Sequence, residues 1–326
     1  MAINVKRIGS DTKLGAIINR DFLGERSHYI EVGPEKIVLP GKFEHFLDRF
    51  KKFEIRDDDV FVLAFPKSGS RWTQEMTWLL LNNLDFETAL NQPLCKRSPL
   101  LDFEPLFDAP QNEYSYFHLV EESKSPRCIR SHLPWTLLPT AIINGTKQPK
   151  IIVVMRNPED TCTSYYYQST VIEGYSGTWN NFCELFLEGR VPYGPYWNHI
   201  LGFWEQKHRS NIMFINYNKM KKDLASSIRE VAHFLDINIT DDNVKKLCTH
   251  LSFDSLKHNK AFNLEKIVDR KNVDLGQLVQ SKEGDCNPFV RSGKIGDHKN
   301  MMSSETIQAF QDQRKKFLNG TDLNLD

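Results

Sequence analysis

The residues best suited to chemistry lie directly behind short apolar runs. Val60-Phe61-Val62-Leu63-Ala64 is followed by Phe65-Pro66-Lys67-Ser68-Gly69-Ser70-Arg71-Trp72, then a helical pattern from Thr73 to Leu81. Small residues let backbone N–H groups approach an anion, a following helix adds partial positive charge at its N-terminus, and Lys67 supplies a full charge. The order differs from a Walker A loop, where Lys follows the second Gly; Lys67 precedes Gly69. The plain alternative is a connecting loop with a surface lysine. Behind Ile151-Ile152-Val153-Val154-Met155 comes Arg156-Asn157-Pro158-Glu159-Asp160. Asn157 reads as an N-cap, Pro158 as the first helical residue and the two acids as first-turn residues. Ser164 falls about two turns on, and helical side chains lean back toward the N-terminus, so it and Arg156 could meet one anion. An Arg paired with Glu159 or Asp160 is an equal alternative. Near the C-terminus, Phe289 to Lys299 holds Arg291, Lys294, His298, Lys299 and two glycines, suited to folding over an anion or to a surface loop. Arg130-Ser131-His132 follows a weaker strand signal at Cys128-Ile129. A lone histidine is more often structural. At a strand end, a neutral imidazole also suits removal of a hydroxyl proton near pH 7.

These residues need a scaffold that gathers strand ends. Val60–Ala64, 151–155 and 212–215 are non-alternating runs rich in β-branched residues, which fits strands buried on both faces. Leu224, Ile228, Val231, Ala232 and Leu235 form one helical stripe, and Ile307, Phe310, Phe317 and Leu318 suggest a C-terminal amphipathic helix. Strands alternating with helices predict an α/β fold with a parallel sheet. Without an internal repeat or clear linker, residues 1–326 read as a single domain, with 1–45 an irregular N-terminal part of it. In such sheets ligands bind beyond the carboxyl ends of the strands.

Composition narrows the function. Lys plus Arg and Asp plus Glu are each 42, a net charge of zero, which argues against nucleic acid as partner. The six cysteines are scattered without a C-x-x-C pair, so they read as reduced thiols of a cytoplasmic protein, and no metal is expected. No apolar run has the length of a membrane span, and the first residues show no signal-peptide core.

Taken together, the segments resemble the cytosolic sulfotransferase family, which moves a sulfuryl group from 3'-phosphoadenosine 5'-phosphosulfate to a small acceptor. Phe65-Pro66-Lys67-Ser68-Gly69-Ser70-x-Trp72 is similar to the family's 5'-phosphosulfate loop. Arg156-Asn157-Pro158 through Ser164-Tyr165-Tyr166 resembles its 3'-phosphate segment. Arg291-Ser292-Gly293-x-x-Gly296-x-x-Lys299 resembles its C-terminal Arg-x-Gly-x-x-Gly-x-x-Lys loop. Further agreement runs through Gly177-Thr178-Trp179, Tyr193-Gly194, Phe203-Trp204-Glu205 and Tyr217. The resemblance implies a single α/β domain with a central parallel sheet flanked by helices, P-loop nucleotide-kinase-like. It implies that Lys67 with the backbone of Ser68, Gly69 and Ser70 holds the 5'-phosphosulfate. Arg156, Ser164, Arg291 and Gly293 would hold the 3'-phosphate, and Trp72, Phe253 and Tyr217 the adenine. His132 would take the acceptor's proton while Lys67 offsets charge on the leaving phosphate. No metal is needed when lysine and arginine supply the electrostatics.

The chain departs from the family pattern at several places. Arg130 stands where many members have Lys, Leu251 where a Thr often bonds adenine, Ser292 where a Lys is frequent, and Arg71 where Thr is usual. Arg71 would either compensate for missing charge in the nucleotide site or point to solvent. Lys299, Ser303, Ser304 and Gln308 retain only the Lys of the family's dimer motif, so a monomer or weak homodimer is expected. The resemblance places Arg130, His132, Leu100, Phe103, Tyr165 and Gln168 around a small lipophilic hydroxyl compound, a phenol, sterol or similar alcohol. Alternatives are dehydration of an allylic alcohol with the same nucleotide, a catalytically weak nucleotide-binding relative, and an ordinary P-loop kinase, which the loop order disfavours.

Overall fold

The computed structural model describes residues 3–24, 26–108, 116–263 and 293–325. A four-stranded parallel sheet has the order β5-β4-β6-β7, with β4 at Val60–Ala64, β5 at Cys128–Ser131, β6 at Lys150–Met155 and β7 at Ile212–Asn216. Side chains alternate across a strand, and both faces of β4 and β6 are covered. Phe61, Leu63, Ile151 and Val153 enter one apolar cluster; Val60, Val62, Ala64, Ile152 and Val154 enter the other. That two-sided burial is why the strands read as unbroken apolar runs.

Helices cover both faces. Ser70–Leu81 follows β4, Pro158–Val171 follows β6, and Leu224–Phe234 carries the predicted stripe, with Ile228, Val231 and Ala232 buried. Asn157 caps the second of these, accepting from the Asp160 N–H at 2.8 Å, with Pro158 in the first turn as expected. The C-terminal helix is Ser304–Leu318, and Ser303, from the degraded dimer motif, is its N-cap.

Within the segment 1–45, expected to be irregular, the described residues 3–24 and 26–45 form regular elements. These are β1 (Val5–Arg7), β2 (Tyr29–Val32) and β3 (Ile37–Pro40) in an antiparallel sheet, a helix at Lys13–Asp21 and a 3-10 turn at Gly41–His45. The strands are three or four residues long, and β1 pairs across a helix rather than through a hairpin, so they give little periodic signal. Their side chains Tyr29, Ile30, Val32, Ile37, Val38 and Leu39 join the same apolar cluster as Phe61 and Leu63 of the parallel sheet.

Candidate active site

The carboxyl ends of all four parallel strands supply a residue to one cleft. Lys67 lies just beyond β4, His132 directly after β5, Arg156 directly after β6 and Tyr217 directly after β7, and all four line it. Counting the part open to solvent, the cleft encloses about 1730 Å³.

The loop after β4 turns sharply because Lys67 and Gly69 both have positive φ, 68° and 110°. Glycine is required at 69 for a second reason: a Cβ there would lie 2.6 Å from Cδ2 of Tyr217. Gly69 stands at the N-cap of Ser70–Leu81 and no side chain caps that helix. The unsatisfied first-turn N–H groups and the positive helix end therefore belong to the cleft wall, where Gly69 and Ser70 lie. Ser68 differs from expectation. Its N–H donates to the Phe65 carbonyl at 3.2 Å, closing the turn, and the residue is buried behind the lining.

Arg156 is buried and reaches this loop, donating to the Lys67 carbonyl at 3.4 Å and to the Lys294 carbonyl at 3.3 Å. Its guanidinium lies 4.4 Å from the Tyr217 ring centroid, and its Nε is buried without a hydrogen-bond partner. The anticipated carboxylate partner exists but is shared. Asp160 is 3.6 Å from Arg156, while it accepts from the Gly296 N–H at 2.8 Å, the His298 N–H at 3.2 Å and His298 Nδ1 at 2.7 Å. Burial alone would push the Asp160 carboxyl up; those hydrogen bonds and the Arg156 charge overcome it and hold it well below the usual carboxylate range. Asp160 thus pins the C-terminal glycine loop over Arg156, and a Cβ at Gly293 would lie 2.6 Å from the Phe253 ring. Ser164 lines the same part of the cleft. Arg291 and Ser292 lie outside the described residues.

Trp72, Phe253 and Tyr217 all border the cleft, with Trp72 and Tyr217 edge to face at 5.8 Å. Trp72 Nε1 donates to the Leu251 carbonyl at 2.9 Å. Lys221, missed in the sequence because it sits within an ordinary basic helix end, bridges the aromatic pair, 5.8 Å from the Trp72 centroid and 5.4 Å from that of Phe253.

At the other end, His132 is held by its Nδ1, 2.7 Å from the Ala64 carbonyl. A carbonyl only accepts, so the proton is on Nδ1 and the lone pair on Nε2. Burial, then the charges of Arg130 and Lys67, pull the imidazolium down to about 3, against the Ala64 hydrogen bond. The ring is therefore neutral at pH 7. Leu100, Phe103 and Gln168 line the cleft with Arg130, as expected, joined by Leu106, Phe107, Tyr116 and Ile172. Tyr165 does not. It is fully buried, edge-on to Phe65 and Phe182, with its hydroxyl donating to Glu173 at 3.4 Å and to the Pro192 carbonyl at 3.3 Å. Its helix turns Ser164 and Gln168, on either side of it, toward the cleft and position 165 inward. Arg71 is not at solvent either. It lies over the Phe262 ring at 5.2 Å, donates to the Phe262 carbonyl, and burial followed by the Arg130 charge brings it down to about 9. Among the described residues no group of three or more His, Cys, Asp or Glu could hold a metal ion, and no helix is long and apolar enough to cross a membrane.

A parallel α/β sheet whose strand ends carry two cations, a neutral histidine and an uncapped helix end is suited to binding an anionic ligand beside a group able to accept a proton. The family model described as "Sulfotransferase domain" matches residues 57–322. Luciferin sulfotransferase of Photinus pyralis is 36% identical over 329 residues, covering 97% of this chain and 87% of the relative. A mouse sulfotransferase complexed with PAP has a TM-score of 0.65 at 28% identity, covering 88% of this chain and 94% of the other. Retinol dehydratase in complex with androsterone and PAP superposes with a TM-score of 0.86 over 99% of this chain and 98% of that one; at 22% identity it shows the shared fold. The chain belongs to the sulfotransferase family and is a sulfotransferase.

Proposed function

We propose that the chain transfers a sulfuryl group from 3'-phosphoadenosine 5'-phosphosulfate to the hydroxyl of a small lipophilic acceptor, with residues 1–326 acting as one domain. The residues present fit that donor. Arg156 Nε is a buried polar atom without a hydrogen-bond partner at the cleft, and glycine at 69 and 293 lets the Tyr217 and Phe253 rings pack directly against the backbone that borders it. Lys67 and the helix end at Gly69 and Ser70 would hold its 5' end, Arg156 and Ser164 its 3'-phosphate, and Trp72, Phe253 and Tyr217 its base. The donor supplies the sulfuryl group and a phosphate leaving group.

The observation that carries the reading is the fixed tautomer of His132. Its Nε2 lone pair is available to take the acceptor's hydroxyl proton, and Nδ1–H bonded to Ala64 keeps the ring oriented while it does so. Arg130 and Lys67 depress its basicity. Anionic groups beside those cations would raise the proton affinity of Nε2, so the base strengthens when the site is loaded. Lys67 would meet charge growing on the leaving oxygen, and the apolar wall of Leu100, Phe103, Leu106 and Phe107 would hold a flat acceptor and exclude water.

The test is incubation with the sulfuryl donor and a panel of phenols, sterols, catecholamines and retinoids, read by mass spectrometry. A stable sulfate ester is expected. Only dehydrated product, or none, would overturn the transferase reading.

A further inference from the structure

The histidine turn rests on a buried carboxylate that the proton transfer itself does not use. Asp102 is fully buried between the apolar pocket wall and β5. Its two oxygens accept from the His132 backbone N–H at 3.1 and 3.3 Å, and it also accepts the Tyr193 hydroxyl. Burial pushes the Asp102 carboxyl up, opposed by hydrogen bonds from Tyr193, Ser131 and His132 and by the nearby Arg130. Tyr193 touches the base a second time, its ring edge to face with the imidazole at 5.5 Å.

Tyr193 is itself held in an uncommon conformation. Its φ is 64°, a left-handed value that a bulky residue adopts only where its surroundings impose it. The surroundings are β3: the Tyr193 N–H donates to the Val38 carbonyl at 2.7 Å, and the Val38 N–H donates to the Gly194 carbonyl at 2.9 Å. The small N-terminal sheet thus fixes Tyr193, Tyr193 fixes Asp102, and Asp102 fixes the main chain that carries the base.

We propose that Asp102, locked by Tyr193, is a positioning residue that sets the height and tilt of His132 in the cleft, which rests on the reading of His132 as the base. It acts on the backbone, while Ala64 fixes the tautomer, so the two controls are separate. A misplacement of about 1 Å at a reacting group can cost about 10²-fold in rate.

The experiment compares Asp102→Asn, Tyr193→Phe and the double variant, using the best acceptor of the panel above. Measured are kcat, acceptor KM, and the rise in Tm given by 3'-phosphoadenosine 5'-phosphate. Asp102→Asn keeps the side chain's shape but turns one acceptor into a donor. It should lower kcat by about 10- to 100-fold. Acceptor KM and the nucleotide-induced shift should stay within about twofold of the unaltered chain. Tyr193→Phe should lower kcat less, and the double variant no further than Asp102→Asn, because both act through one contact. An unchanged kcat in Asp102→Asn overturns the proposal, as does a loss of kcat that only follows a loss of nucleotide stabilisation. If Asp102→Asn does not fold, Tyr193→Phe decides, and full kcat in that variant overturns it. An unaltered chain that yields no sulfate ester would instead overturn the transferase reading, a result visible without any variant.

Discussion

Acid should weaken this fold through its buried histidines well before it protonates the base. His132 and His199 are both buried and neutral, and each is held down at about 3, chiefly by burial. His199 Nε2 lies 3.1 Å from the His132 carbonyl, to which it donates, while its Nδ1 is buried without a partner between the rings of Phe65 and Phe203. A proton on that nitrogen would be a donor with nothing to receive it. In the unfolded chain each histidine titrates near its ordinary value of about 6.5. Between about 3 and 6.5 the unfolded state binds the proton and the native state does not, so stability is fully present above pH 6.5 and falls as the pH drops. At pH 5, about 1.5 units below the unfolded value, each ring costs roughly 2 kcal/mol, the pair about 4. The perturbation is His199→Gln, which keeps an N–H able to reach the His132 carbonyl but cannot titrate. Urea unfolding at pH 7.5 and 5.0 is the assay. The variant starts less stable at pH 7.5, and its further loss on acidification should be smaller than that of the unaltered chain by about 2 kcal/mol. Equal losses in the two proteins would refute the argument that burial keeps His199 unprotonated.

Three other outcomes follow from the cleft. The nucleotide 3'-phosphoadenosine 5'-phosphate should raise Tm more than AMP does, and Arg156→Met should abolish most of that difference, a loss of about 1.5–3 kcal/mol in binding; equal shifts in the unaltered chain would remove the 3'-phosphate site. Gly69→Ala should weaken nucleotide binding about tenfold or more by calorimetry, because it joins a φ of 110° to a 2.6 Å approach to Tyr217. His132→Ala should keep the nucleotide-induced Tm shift and lose about 10²- to 10⁴-fold in turnover; an unimpaired rate would exclude it as base.

What was legible in the sequence follows from the range of the interactions. The loop from Lys67 to Trp72 and the cap at Asn157 are local devices, made by residues within a few positions of each other, and the strands behind them are apolar on both faces. Position along a strand–loop–helix unit is enough to place such residues at one edge of a parallel sheet, so Lys67, His132 and Arg156 could be assigned to one cleft without coordinates. The supports of those residues are long-range. Asp102 meets His132 across 30 positions, Tyr193 meets Asp102 across 91, and Asp160 meets Gly296 across 136. Spacing carries no trace of such contacts: Asp160 reads locally as a first-turn helix acid, and Tyr193-Gly194 stands out only as part of the family resemblance. Tyr165 shows the converse: the resemblance places it in the acceptor pocket beside Gln168, whereas its position on the helix, between Ser164 and Gln168, turns it into the core. The short N-terminal strands are three or four residues long, too brief to carry a period, although β3 buttresses Tyr193. Sequence therefore exposes the groups that touch ligands, set by local geometry, while the precision with which they are aimed is fixed by partners distant along the chain.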